Sequence, residues 1–123
     1  MVTGKTEIID LARKILKEDR SAIIGQYAMN VYALPSLRAV HRPKDATSEE
    51  LAVCAALLEL FASRRGEPPP DWTADVGGIM PPRFLMGGYE REFPSLGERW
   101  QKESPEPLKR RNLWASAEFL EFT

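Results

Sequence analysis

One segment constrains this chain more than any other: "TSEELAVCAALLELFASRRG", Thr47 to Gly66. It opens with Thr47 at an N-cap position and Glu50 three residues on. This is the capping-box spacing, in which each side chain reaches the other's backbone N–H. Glu49 and Glu50 suit the positive end of a helix dipole, and Arg64 and Arg65 suit the negative end. Gly66 can take the left-handed conformation that ends a helix. Between these signals Leu51, Val53, Cys54, Leu57, Leu58, Leu60 and Phe61 cover more than one helical face. A helix so widely apolar must sit at the centre of its fold, because no single neighbour could bury it.

Two further helices are expected before it. In "TEIIDLARKILKEDR", Ile8, Ile9, Leu11, Ala12, Ile15 and Leu16 recur at three- and four-residue steps. Lys5, Asp10, Lys14, Lys17 and Glu18 take the opposite face. "SAIIGQYAMNVYAL" repeats the pattern through Ile23, Ile24, Tyr27, Ala28, Val31 and Tyr32, then stops at Pro35. Gly25 weakens this helix by about 1 kcal/mol relative to alanine.

After Gly66 the character changes. "EPPPDW" is expected to be extended, since each proline fixes φ and removes a donor. The Gly-Gly and Pro-Pro pairs of "DVGGIMPPRFLMGGYEREFP" punctuate it into turns. Eight of the eleven aromatic residues lie beyond Gly66. The segment is therefore expected to wrap the helices and anchor through Trp72, Phe84, Tyr89, Phe93 and Trp100. "SLGERWQKE" reads as a short helix with Ser95 at the N-cap, and "SPEPLKRRN" as another with Ser104 at the N-cap and Pro105 first in the helix. "SAEFLEF" fits a last helical turn or a short strand. The expectation is an all-α single domain over residues 1–123. It comprises a helical core to residue 66, a bundle of three main helices, and an irregular aromatic-rich segment over 67–123 with short C-terminal helices.

Composition excludes several functions. With 17 basic and 18 acidic residues the formal charge is −1, so no overall field attracts a polyanion and nucleic acid is a disfavoured partner. No apolar run approaches the roughly 18 residues of a membrane span, and "MVTGKTEIIDLARK" lacks the apolar stretch of a signal peptide. Cys54 is the single cysteine, which fits a reducing cytoplasm. It falls within an apolar helix face, where burial makes a thiol inert. His41 is the single histidine and has no companion ligand in "AVHRPKD". "GGIMPPRF" and "GGYERE" lack the ending and setting of a phosphate loop. Glu90 and Glu92 flank Arg91 and look equally exposed, which does not make an acid/base pair. A helix-turn-helix would offer Gln26, Asn30 and Arg38 without a basic stripe to hold phosphate. No residue is assigned to catalysis, a metal or a cofactor.

"ESPEPLKRRNLW" remains. Lys109, Arg110 and Arg111 are about 100° apart on a helix and splay. Glu98, Glu103, Glu106, Glu118 and Glu121 are close in sequence and are expected partners for them. Asn112 suits a left-handed C-cap, and Leu113 and Trp114 follow at once. An arginine beside an exposed tryptophan is the composition of an interface hot spot.

The tracts "EPPPDWTADVG" and "ESPEPLKRRNLWASAEFLE" give residues 51–121 a resemblance to the C-terminal region of small bacterial antitoxin-like proteins. In these a Pro-Pro-x-Trp turn follows a helix, and a Pro-x-x-(Phe/Leu)-(Arg/Lys)-Arg-Asn element precedes a final Phe-Leu. Some carry a helix-turn-helix in front and resemble the regulatory halves of toxin–antitoxin operons, beside a nucleotidyltransferase-like or other partner. The first 45 residues here depart from that pattern, since they offer no DNA-reading helix. The resemblance implies a structural or docking element at Arg110, Arg111, Asn112 and Trp114. The expected function is a non-enzymatic protein-binding or regulatory domain, an antitoxin-like partner of another protein encoded nearby; a homo-oligomer is compatible with it. A nucleic-acid-binding regulator and a small enzyme are the alternatives.

Overall fold

The central helix forms as its caps require. The structure, a computed structural model, describes residues 7–121. Thr47 Oγ1 accepts from Glu50 N at 3.0 Å and Thr47 N donates to Glu50 Oε1 at 3.0 Å. Gly66 closes the helix at φ 70°. This helix, Ser48–Arg65, carries an unbroken buried run from Ala52 to Ala62. Eleven consecutive residues complete about three turns, so protein covers every face. Lys5 and Phe122, both included in the expected elements, lie outside the described residues.

In chain order the helices are α1 (Ile8–Leu16), α2 (Ile23–Tyr32), α3 (Ser48–Arg65), α4 (Tyr89–Glu92), α5 (Pro94–Glu103) and α6 (Glu106–Lys109). A 3₁₀ turn, Asp71–Asp75, follows α3. Ile8, Leu11, Ala12 and Ile15 are buried, so α1 places its predicted stripe against α3. Arg13 Nε also reaches Glu50 Oε2 at 3.3 Å, linking α1 to the first turn of α3. The helix α2 packs chiefly on α1 and buries fully only Ala28 and Val31. Its link to α3 is at its C-terminal end, where the Tyr32 ring meets Phe61 edge-on at 5.6 Å. There Arg65 Nη1 donates to the carbonyls of Tyr32 and Leu34. Arg64 likewise donates to Phe119 O at 2.7 Å. The two cations read as dipole partners therefore also tie the chain across the end of α3.

The second half wraps this core. Trp72 Nε1 donates to Val40 O at 2.9 Å, and Trp100 is buried. Tyr89 and Phe93 are not buried anchors: the Arg20 guanidinium lies 3.8 Å over the Tyr89 ring, and Phe93 is 52% exposed at the junction before α5. Neither expected serine cap forms. The helix α5 starts at Pro94, whose fixed φ suits a first turn, with Phe93 at the N-cap. At α6 the N-cap is Pro105, and Pro107 takes the early helical position. Ser104 instead ends α5 and is buried. Its Oγ accepts from Ala115 N at 2.9 Å and lies in donor reach of the carbonyls of Trp100 and Ala115.

A short parallel pair was not anticipated. Strands β1 (Arg83–Phe84) and β2 (Leu113–Trp114) register Arg83 with Leu113 and Phe84 with Trp114. Two-residue strands are too short to show alternation in sequence. They matter because they hold the 76–84 loop against the segment after α6. The described part of "SAEFLEF", residues 116–121, forms a turn rather than a helix or strand, with Phe119 buried.

Candidate functional site

The side chains singled out in "KRRNLW" meet a residue that was not: Glu59. It lies in the buried run of α3 and is 8% exposed. A carboxylate so buried requires charge partners and hydrogen bonds, and Arg111, 3% exposed, supplies both. Arg111 Nη1 donates to Glu59 Oε1 at 2.7 Å and Nη2 to Oε2 at 3.1 Å, a two-pronged pair. Its other contacts go to backbone carbonyls: Nε to Val76, Nη1 to Pro107 and Nη2 to Thr73, at 2.9–3.1 Å. All five guanidinium hydrogens thus have acceptors. Through them Arg111 joins α3, the 3₁₀ turn, the loop beyond it and α6.

Arg110 behaves differently. Its side chain is 50% exposed, and Nη2 alone contacts Glu59 Oε1. Asn112 takes the expected left-handed conformation at φ 63°, and its Nδ2 donates to Ile79 O at 2.9 Å. Trp114 is half-buried in β2. The local cations do not pair with Glu98, Glu103, Glu106, Glu118 or Glu121, as the sequence had suggested. Glu103 binds Arg99 at 3.0 Å, and Lys109 Nζ donates to Lys102 O.

Opposite this corner runs the turn Gly77–Gly78. A Cβ on Gly78 would lie 2.7 Å from Arg111 Cα and 2.9 Å from its carbonyl oxygen. Only glycine lets these two backbones approach so closely. Gly77 meets no such obstacle. Between the turn and the arginines lies a cleft of about 430 Å³ lined by Glu59, Val76, Gly77, Gly78, Arg110 and Arg111. The neighbouring Met80 is 79% exposed, with its Sδ 3.3 Å from Asn112 Nδ2.

Burial alone pushes the Glu59 carboxyl up, but hydrogen bonding to Arg111, its charge and that of Arg110 outweigh this. The net result is a pKa below the ordinary 4.5. A depressed native pKa contributes stability that is present above 4.5 and lost as pH falls through the native value. Urea unfolding from pH 6 to pH 3 is therefore expected to weaken below about 4.5. The decline should be shallower in Glu59→Gln. Equal slopes in the two proteins would remove Glu59 from the acid response.

The other candidates do not assemble. Cys54 is buried and its thiol is pushed up to about 12, so it is protonated at neutral pH. His41 is exposed on the rim of a separate groove of about 710 Å³, together with Arg42, Val40 and Ile9. Glu90 and Glu92 are not equivalent. Glu92 pairs with Arg20 at 2.7 Å, whereas the Glu90 side chain is largely buried with Arg91 3.5 Å away. On α2, Gln26 donates to Asn30 at 2.9 Å, so these exposed amides bond to one another. Among the described residues no group of histidine, cysteine and carboxylate side chains could hold a metal ion. Among the same residues no helix is long and apolar enough to cross a membrane. No family model, curated protein or solved structure matches this chain.

Sequence reasoning missed Glu59, although "AALLELFA" carried the signal: a lone carboxylate inside an apolar run must find a cation in the fold. It also treated Gly77–Gly78 as a turn alone. The close approach to Arg111 has no local sequence signature.

Proposed function

We propose that this protein is a non-enzymatic binding protein that engages a partner protein through the edge formed by Arg110, Met80 and the Gly77–Gly78 turn. The observations that carry this reading are a 79% exposed methionine two residues after the glycine turn and a half-exposed arginine that lines the same cleft as that turn. Methionine and arginine are both enriched at interfaces, and arginine is a frequent hot-spot residue. Arg111 and Asn112 serve this edge by holding its shape, and Trp114 supports it from β2. The resemblance of residues 51–121 to antitoxin-like bacterial proteins supplies the setting: a cytoplasmic regulatory partner of a neighbouring gene product.

The test is affinity capture from the native cells, comparing the wild-type chain with Arg110→Ala/Met80→Ser. Both sites are exposed, so the variant should keep its thermal midpoint. A stoichiometric protein should be retained by the wild type and bound at least about tenfold more weakly by the variant. No partner, or a partner held equally by both, overturns the reading.

A further inference from the structure

We propose that the cleft between Gly77–Gly78 and Arg110 is a carboxylate-binding site. The inference rests on the partner-binding reading only for where that carboxylate comes from. Three charged groups line the cleft: Glu59, Arg110 and Arg111. Arg111 has no donor left, and both Glu59 oxygens accept from guanidinium groups. The three sum to one positive charge, and it is carried where the cluster opens to solvent. Arg110 places one Nη2 hydrogen bond on Glu59, and its side chain, half-exposed, lines the cleft. Gly77 and Gly78 line the same cleft, and their amides make no hydrogen bond among the described residues. A guanidinium and two unpartnered backbone donors lining one cleft are the kind of set that recognises an oxyanion. Because only one charge is uncompensated, the match is to a monoanion. A dianionic phosphate would retain a negative charge beside Glu59 and near Asp75, which is exposed one residue before Val76. Neighbouring Met80 offers apolar contact to whatever chain bears the carboxylate.

The site is tested on the full chain by amide NMR titration with sodium acetate, with sodium phosphate and chloride as parallel arms at matched ionic strength. Acetate is expected to move the Gly77 and Gly78 amides saturably, with a Kd in the millimolar range, roughly what a four-atom ligand can achieve. Arg110→Ala should weaken this about tenfold, the loss of a charge-assisted contact, while the thermal midpoint stays within a few degrees. Gly77→Ala, which meets no steric obstacle in the fold, provides a second variant that narrows the cleft and should also weaken the titration. Linear shifts equal to those of chloride, or a response unchanged in Arg110→Ala, overturn the site. Phosphate binding tighter than acetate overturns the assignment to a carboxylate. Acetate binding without a captured partner would retire the partner reading and leave the site. A captured partner without acetate binding would do the reverse.

Discussion

Arg111→Met is expected to lower the free energy of unfolding by about 3–5 kcal/mol, the usual effect of removing one member of a buried ion pair. Glu59 would keep only Arg110, which reaches it from a half-exposed position. The carbonyls of Val76, Pro107 and Thr73 would lose their Arg111 donor at the same time. A domain of this size is stable by only about 5–15 kcal/mol, so much of the margin would go. Urea unfolding monitored by tryptophan fluorescence reads this directly, since Trp72, Trp100 and Trp114 all lie in the half that Arg111 fastens. Arg110→Ala, by contrast, is expected to change stability by at most about 1 kcal/mol, as for exposed pairs.

The second large effect is expected at Phe61. It is fully buried on α3 and touches the Tyr32 ring at the end of α2. Phe61→Ala removes an aromatic side chain from a site enclosed on every side, which typically lowers stability by about 3–5 kcal/mol. It should also loosen α2, because the Tyr32–Phe61 contact lies where α2 joins α3. Hydrogen exchange is the discriminating readout: amides of α2 should lose more protection than those of α1, whose contact with α3 is separate. Uniform loss across both helices would mean that α2 is held mainly through α1.

These two positions also show how far the sequence could be read. Phe61 was legible, because capping signals and an apolar run on all faces force a helix to the centre. The stripe on α1 was legible for the same reason: local periodicity alone determines which face is buried. Arg111 was legible as a residue of interest, yet its role was not. Its partner lies 52 positions earlier, and pairing over that distance is set by how the wrapping segment returns to α3. The acids close in sequence were the natural guess, and the fold passed them over because α3 had already buried an uncompensated carboxylate. Ser104 shows the same limit on a smaller scale. Serine before proline reads as a helix start, but its hydroxyl meets a greater need at the buried amide of Ala115. Asn112 takes the left-handed conformation expected of it, but not as the helix cap, because α6 ends earlier with Arg110 at its C-cap.

The central claim is that Glu59 and Arg111 form a structural pair, which leaves Arg110 as the outward-facing cation. A double-mutant cycle in urea, combining Glu59→Leu and Arg111→Met, measures that pair with least interference. Each single change should be strongly destabilising, and the double should recover much of the loss. The coupling energy is expected toward the upper end of the roughly 0.5–3 kcal/mol seen for residues in one network. Additive effects, with no recovery in the double variant, would contradict the account.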